Sequence, residues 1–135
     1  MSKLIIETKP HEEQRYETCG DWFTDQSGDK HIVVSAMGNP DYEMLVAVHE
    51  LIEQYLCERR GISQDSVDKF DREFEAARQL GNDDEPGDDP SAPYYKEHRF
   101  ASSVERIIAA ELGVNWKDYD KTVVALSQKD AQDKE

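Results

Sequence analysis

The chain has 135 residues, 37% hydrophobic and 34% charged, which is enough for one domain with a modest core and too few for two. Acidic side chains outnumber basic ones 30 to 16, for a formal charge of −14. Such a surface repels phosphate backbones, so no nucleic-acid binding is expected. No apolar run approaches the roughly 20 residues that cross a bilayer, and the opening residues lack a signal-peptide pattern, so neither a membrane protein nor a secreted one is expected.

Residues 1–38 read as strands and turns. Lys3–Thr8, Gln14–Thr18 and Asp21–Thr24 are short extended segments. A turn at Gln26–Asp29 leads into His31–Ala36, the strongest strand pattern in the chain. These segments predict a small N-terminal antiparallel sheet. Residues 39–126 read as helical. Asn39 caps the clearest helix, Pro40 fits its first turn, and Arg59, Arg60 and Gly61 end it. Its apolar residues, Met44, Leu45, Val48, Leu51, Ile52, Tyr55 and Leu56, predict the buried face. A second helix starts at Ser63, carries Val67, Phe70, Phe74 and Ala77, and stops at Gly81. Asn82–Pro90 reads as an exposed acidic loop, or as a lid running into Tyr94 and His98. A third helix spans about Pro93–Leu112, with Ala101, Val104, Ile107, Ile108 and Leu112 expected inside, and a fourth spans about Trp116–Leu126. Residues 127–135 read as a polar tail. The expected fold is a single α+β domain over residues 1–126, with three to four helices after the sheet. Cys19 and Cys57, 38 positions apart and without CxxC spacing, predict free thiols and a cytoplasmic setting.

The chemistry concentrates in Val48-His49-Glu50-Leu51-Ile52-Glu53. His49 and Glu53 stand one helical turn apart at the margin of the apolar face, where a carboxylate and an imidazole need a partner. His98 on the third helix, with Tyr94 four residues before it and Glu105 seven after, supplies one if the first and third helices pack together. Two imidazoles and a carboxylate then form a metal set of His49, Glu53 and His98. Glu105 and Tyr94 would stand behind that set, and Glu50 would be the general base on an activated water. A plainer reading makes His49 and Glu53 a solvated i,i+4 pair and His98 a core-edge residue bonded to Glu105. His11 and His31 read as structural.

A helix bearing His-Glu-x-x-Glu after a strand and turn resembles the zincin metallohydrolases, whose helix carries His-Glu-x-x-His. That resemblance implies a zincin-like strand–helix core, His49 as first ligand, Glu50 as base, His98 as distal ligand, and peptide or amide hydrolysis. The departure is Glu53, where zincins have their second His. A carboxylate there suits zinc, the first expectation, but also iron or manganese. The chain also resembles a family of small bacteriophage and bacterial proteins with an HELIE helix (residues 49–53), a Gly-Asp-Asp-Pro-x-Ala-Pro-Tyr loop (87–94) and a Tyr-x-x-x-His (Tyr94–His98). That likeness brings no activity with it and implies the host cytoplasm if the chain is phage-encoded.

Two rivals follow from the acidity. Glu50 and Glu53 match half of the Glu-x-x-Glu pattern of the all-helical nucleoside triphosphate pyrophosphatases, with Glu85 and Asp88 at the spacing of the other half but in a prolyl loop. The non-enzyme alternative is an acidic inhibitor or DNA mimic that binds a basic host protein. Substrate, protein partner and oligomeric state are left open by the sequence.

Overall fold

Three strands form one sheet, with the most deeply buried of them at its centre. They are β1 (Leu4–Lys9), β2 (Gly20–Thr24) and β3 (Lys30–Ser35), in the order β1-β3-β2. In this computed structural model residues 2–133 are described, with side chains to residue 126. The turn at Asp25–Asp29 folds β2 back antiparallel on β3, pairing Trp22 with Ile32 and Gly20 with Val34. β1 takes the other edge of β3 in parallel, so the sheet is mixed and not antiparallel throughout. The reason lies in the ten residues after β1. Lys9 pairs with Ser35, and Gly20 pairs with Val34. The connection therefore crosses over one end of β3 without traversing the sheet.

Gln14–Thr18, expected as a strand, belongs to this crossover. Gln14 Nε2 donates to the Val33 carbonyl at 3.2 Å and to Ser35 Oγ at 3.1 Å. A 3-10 turn at His11–Glu13 precedes it, and His11 Nδ1 stands 2.8 Å from Ser35 Oγ. His31 bonds Asp25 at 2.8 Å and stacks on Phe23. Both histidines thus serve the sheet.

Four helices follow: α1 (Pro40–Arg59), α2 (Gln64–Ala76), α3 (Tyr95–Glu111) and α4 (Trp116–Asp133). Asn39 caps α1, its side chain accepting from the Asp41 and Tyr42 amides, and Ser63 caps α2 by accepting from Ser66. α2 ends at Ala76, short of Gly81, because Arg78 folds back on Glu75 and on the carbonyls of Asn82 and Asp84. The α4 backbone continues past Leu126, where a tail was expected, to Asp133. Residues 134–135 of that tail lie outside the described residues. No helix among the described residues is long and apolar enough to cross a membrane.

The core lies between one sheet face and the helices, with Trp22, Ile32, Val34, Leu45, Val46 and Cys57 at its centre. Cys57 is a free thiol there, and Cys19 is a free, half-buried one. α1 is rotated relative to its apolar stripe. Leu45 and Val46 are buried, but so are His49, Glu53 and Gln54, whereas Met44 and Tyr55 are exposed. α3 shows the same rotation, burying Glu97, His98, Ala101, Glu105 and Ala109 and exposing Ile107 and Leu112. On α2, Asp68, Asp71 and Glu75 are buried beside Val67, Phe70 and Phe74 are half-buried, and Ala77 is exposed. Polar side chains occupy positions that the apolar stripes alone would have filled, and each requires compensation.

Candidate metal centre

α1 and α3 pack antiparallel, as three cross-helix contacts show: His49 with Glu105, Glu53 with His98, and Arg60 with Glu97. The rotation of both helices brings His49, Glu53 and His98 together at 4 to 7% exposure. His49 Nε2 lies 3.0 Å from Glu53 Oε2 and 3.1 Å from His98 Nδ1, and His98 Nδ1 lies 3.0 Å from Glu53 Oε2. The three atoms form a nearly equilateral triangle. Ligand atoms bound to one ion at about 2.1 Å stand roughly 3.0–3.4 Å apart, so these three could hold a metal ion.

Each of the three is held from behind. His49 Nδ1 bonds Glu105 Oε1 at 2.7 Å. A carboxylate only accepts, so Nδ1 carries the proton and Nε2 is directed to the centre. Trp22 Nε1–H donates to Glu53 Oε1 at 3.0 Å and leaves Oε2 facing the histidines. Behind His98, Nε2 lies 3.0 Å from Glu85 Oε2 and 3.3 Å from Asp88 Oδ1. These are ion-pair distances, and neither contact is a well-formed hydrogen bond. Outer partners of this kind fix ring orientation at metal sites and raise ligand basicity.

The electrostatics point the same way. Burial pulls the two imidazoles down, but it is outweighed by Glu105 and Glu53 at His49 and by Asp88, Glu53 and Glu85 at His98, so both sit well above the usual histidine range. Burial pushes Glu53 up, and the two histidines outweigh it and hold it far below the usual carboxylate range. Elsewhere four buried acids are matched by arginine, Asp21 and Asp68 by Arg15, Glu75 by Arg78, and Glu97 by Arg60, while Asp71 is met by the hydroxyls of Tyr94 and Tyr16. Among the described residues no lysine or arginine pairs with Glu50, Glu53 or Glu105. Positive charge at this cluster comes only from the imidazoles, which a divalent cation could replace.

Glu50 lies beside the triangle. The residue as a whole is half-buried, yet its Oε2 is inaccessible and has no partner. Its side chain runs against Gly20 of β2, where an added Cβ would fall 2.8 Å from both Glu50 Cγ and Oε1. Burial and then the Glu53 charge push its carboxyl well above the ordinary value. Glu50, His49, Glu53 and His98 all line one cavity of about 100 Å³, together with Trp22 and Cys19. That volume holds several waters or part of a small substrate. A wider groove of about 520 Å³ shares Glu85, Glu105, Tyr119 and Asp120 with its wall.

Tyr94 is buried with its ring edge-on to His98, and its hydroxyl donates to Asp71, which also accepts from Tyr16 at 2.8 Å. Glu105 and Tyr94 thus stand where a support role requires, Glu105 directly behind His49 and Tyr94 beside His98. The acidic loop is exposed over Asn82–Glu85, but its 3-10 turn at Pro86–Asp88 buries Gly87 against the His98 ring. Glu85 and Asp88 therefore meet a histidine and form no helical acidic pair, as a pyrophosphatase pattern would require. Sequence reasoning missed Trp22, Gly20 and the Tyr16–Asp71–Tyr94 chain. An indole placed to serve one carboxylate oxygen has no spacing signature. Comparison with family models, with curated proteins and with solved structures found no match.

Proposed function

We propose that the chain is a metal-dependent hydrolase, with His49, Glu53 and His98 as ligands to a divalent cation and Glu50 as general base. The observation that carries this reading is the triangle of three buried ligand atoms, each with a further side chain behind it. A histidine–carboxylate pair kept only for stability does not require a second histidine 3.1 Å away with its own acidic escort.

The donor set, two nitrogens and one carboxylate oxygen, fits zinc first, and iron or manganese as well. Bound there, the cation supplies Lewis acidity toward a water or a carbonyl oxygen. Glu50 supplies the proton acceptor. Its free Oε2 faces no competing donor, and burial raises the proton affinity of the carboxylate, as a proton acceptor requires. Trp22 and Glu105 keep Glu53 and His49 in place, and the cavity admits few waters. Peptide or amide bonds are the substrates the zincin resemblance suggests, and the acidic walls favour a neutral or basic one. The inhibitor reading gains less from the geometry, because Asp21, Asp68, Asp71, Glu75 and Glu97 are turned inward and subtract from the surface charge a mimic would use.

Elemental analysis of the untagged protein beside His49→Ala, His98→Ala and Glu50→Gln tests the assignment. Equal metal content is expected in the wild type and in Glu50→Gln, and loss of the equivalent held at this site is expected in both histidine variants. Glu50→Gln should then abolish turnover in a hydrolase screen. Metal lost from Glu50→Gln would make Glu50 a ligand, and metal retained in both histidine variants would overturn the site.

A further inference from the structure

We infer that the acidic loop carries a second cation site, formed by Glu85 Oε2, Asp88 Oδ1 and His98 Nε2, so that His98 joins two cations through its two ring nitrogens. The inference rests on the proposed function only in that both sites use His98. Three facts carry it. The three side chains can offer ligand atoms all within 4.8 Å of one another. His98 is only 5% exposed, its Nδ1 is engaged by Glu53, and its Nε2 stands 3.0 and 3.3 Å from two carboxylates without a well-formed hydrogen bond to either. Among the described residues neither Glu85 nor Asp88 pairs with a lysine or arginine.

The backbone is shaped for this approach. A Cβ on Gly87 would lie 2.3 Å from His98 Cγ and 2.4 Å from Nδ1. Only glycine lets the Pro86–Asp88 turn sit flat on the imidazole with an acid on either side. One nitrogen and two carboxylates make a zinc- or manganese-type donor set, completed by water. The second cation takes the place of the Nε2 proton, which passes to solvent, and His98 bridges as an imidazolate. With an aromatic ring between them, the cations stand too far apart for the close two-metal clamp of about 3.5–4 Å. The outer one instead ties residues 85–88 to α3 and holds the loop over the cavity.

Titration with zinc alone tests the site, read as bound equivalents by calorimetry and by elemental analysis after gel filtration. Glu85 and Asp88 are half-exposed, so Glu85→Gln/Asp88→Asn removes the ligands without disturbing the core. Two equivalents are expected in the wild type, and one in both the double variant and His49→Ala. Amide exchange over 85–88 should slow at least tenfold as the second equivalent binds. A single equivalent in the wild type, retained in the double variant and lost in His49→Ala, would overturn the outer site and leave the inner one standing. A single equivalent lost in the double variant and retained in His49→Ala would support the outer site and overturn the inner. No binding at all would overturn both.

Discussion

Trp22 serves a carboxylate with the one polar atom it has. Its indole N–H is 3.0 Å from Glu53 Oε1, and both groups are buried. Replacement by Phe keeps most of the ring packing and removes the donor. Cation affinity is expected to fall about 10- to 100-fold, the usual cost of losing an outer partner at a metal site. The metal-free protein should lose about 1–3 kcal/mol, since Oε1 stays buried and unpaired. Competition with a chelating dye and urea unfolding read the two effects separately. Asp71 is a different kind of buried acid. Burial pushes its carboxyl up to about 7, although the hydroxyls of Tyr94 and Tyr16 lower it. Its pKa is therefore higher folded than unfolded, so folding favours the protonated form. That contribution is fully present below about pH 4 and is lost as the pH rises through 7. Asp71→Asn should flatten this part of the stability profile, so the urea midpoint of the variant should fall less than the wild type's between pH 4.5 and 8. An unchanged slope would show that Asp71 is already ionised in the folded protein.

At the scale of elements, the phase of a helix matters more than its existence. Capping residues, glycines and charge placement made α1 legible almost to the residue, and the turn at Gln26–Asp29 marked the hairpin of β2 and β3. The inward face was less legible. An apolar stripe at Met44, Val48, Leu51 and Tyr55 has the spacing of a core face, yet Met44 and Tyr55 are exposed, while His49 and Glu53, at its margin beside Val46 and Cys57, are buried as that placement predicts. Hydrophobic periodicity assumes that burial is settled by apolar area, at about 25 cal/mol per Å². Here a cluster of charged and hydrogen-bonded groups on two helices competes for the same interior and turns both helices by part of a turn. The convergence of α1 and α3 was foreseeable because His49, Glu53, His98 and Glu105 each lie on one flank of a helix. Contacts between distant segments were not. Arg15, in the crossover read as a strand, bonds Asp21 of β2 at 2.8 and 3.0 Å and Asp68 of α2 at 3.1 and 3.2 Å. No local pattern announces a guanidinium that fastens a sheet to a helix 53 positions away. Arg15→Ala leaves two buried carboxylates without their cation, and a loss of roughly 2–4 kcal/mol is expected by chemical unfolding. Arg15→Ala/Asp68→Asn should lose less than the sum of the single changes, because the two residues share one network. Additive losses would mean that Arg15 acts on Asp21 alone.

For the whole molecule, a net charge of −14 means that folding concentrates like charge. Several of these acids converge on one cavity, where Glu50, Glu53, Glu85 and Glu105 share the walls with two histidines. A chain so arranged gains stability from any cation that binds the folded form and not the unfolded one. At a free concentration one hundred times the dissociation constant, the gain is about 2.7 kcal/mol. For a domain of this length, that corresponds to a rise of roughly 10 °C in the melting midpoint. Scanning calorimetry with zinc, and again after a chelator, should show the rise and its reversal, while His49→Ala should show most of it gone. Sodium chloride gives the control. Monovalent salt screens surface repulsion over about 10 Å at 0.1 M and should raise the midpoint of wild type and His49→Ala alike. An equal zinc response in both proteins would place the stabilising ion outside the triad. A response confined to the intact triad would place the ion among His49, Glu53 and His98, where two imidazoles stand against the acids and, among the described residues, no lysine or arginine pairs with Glu53.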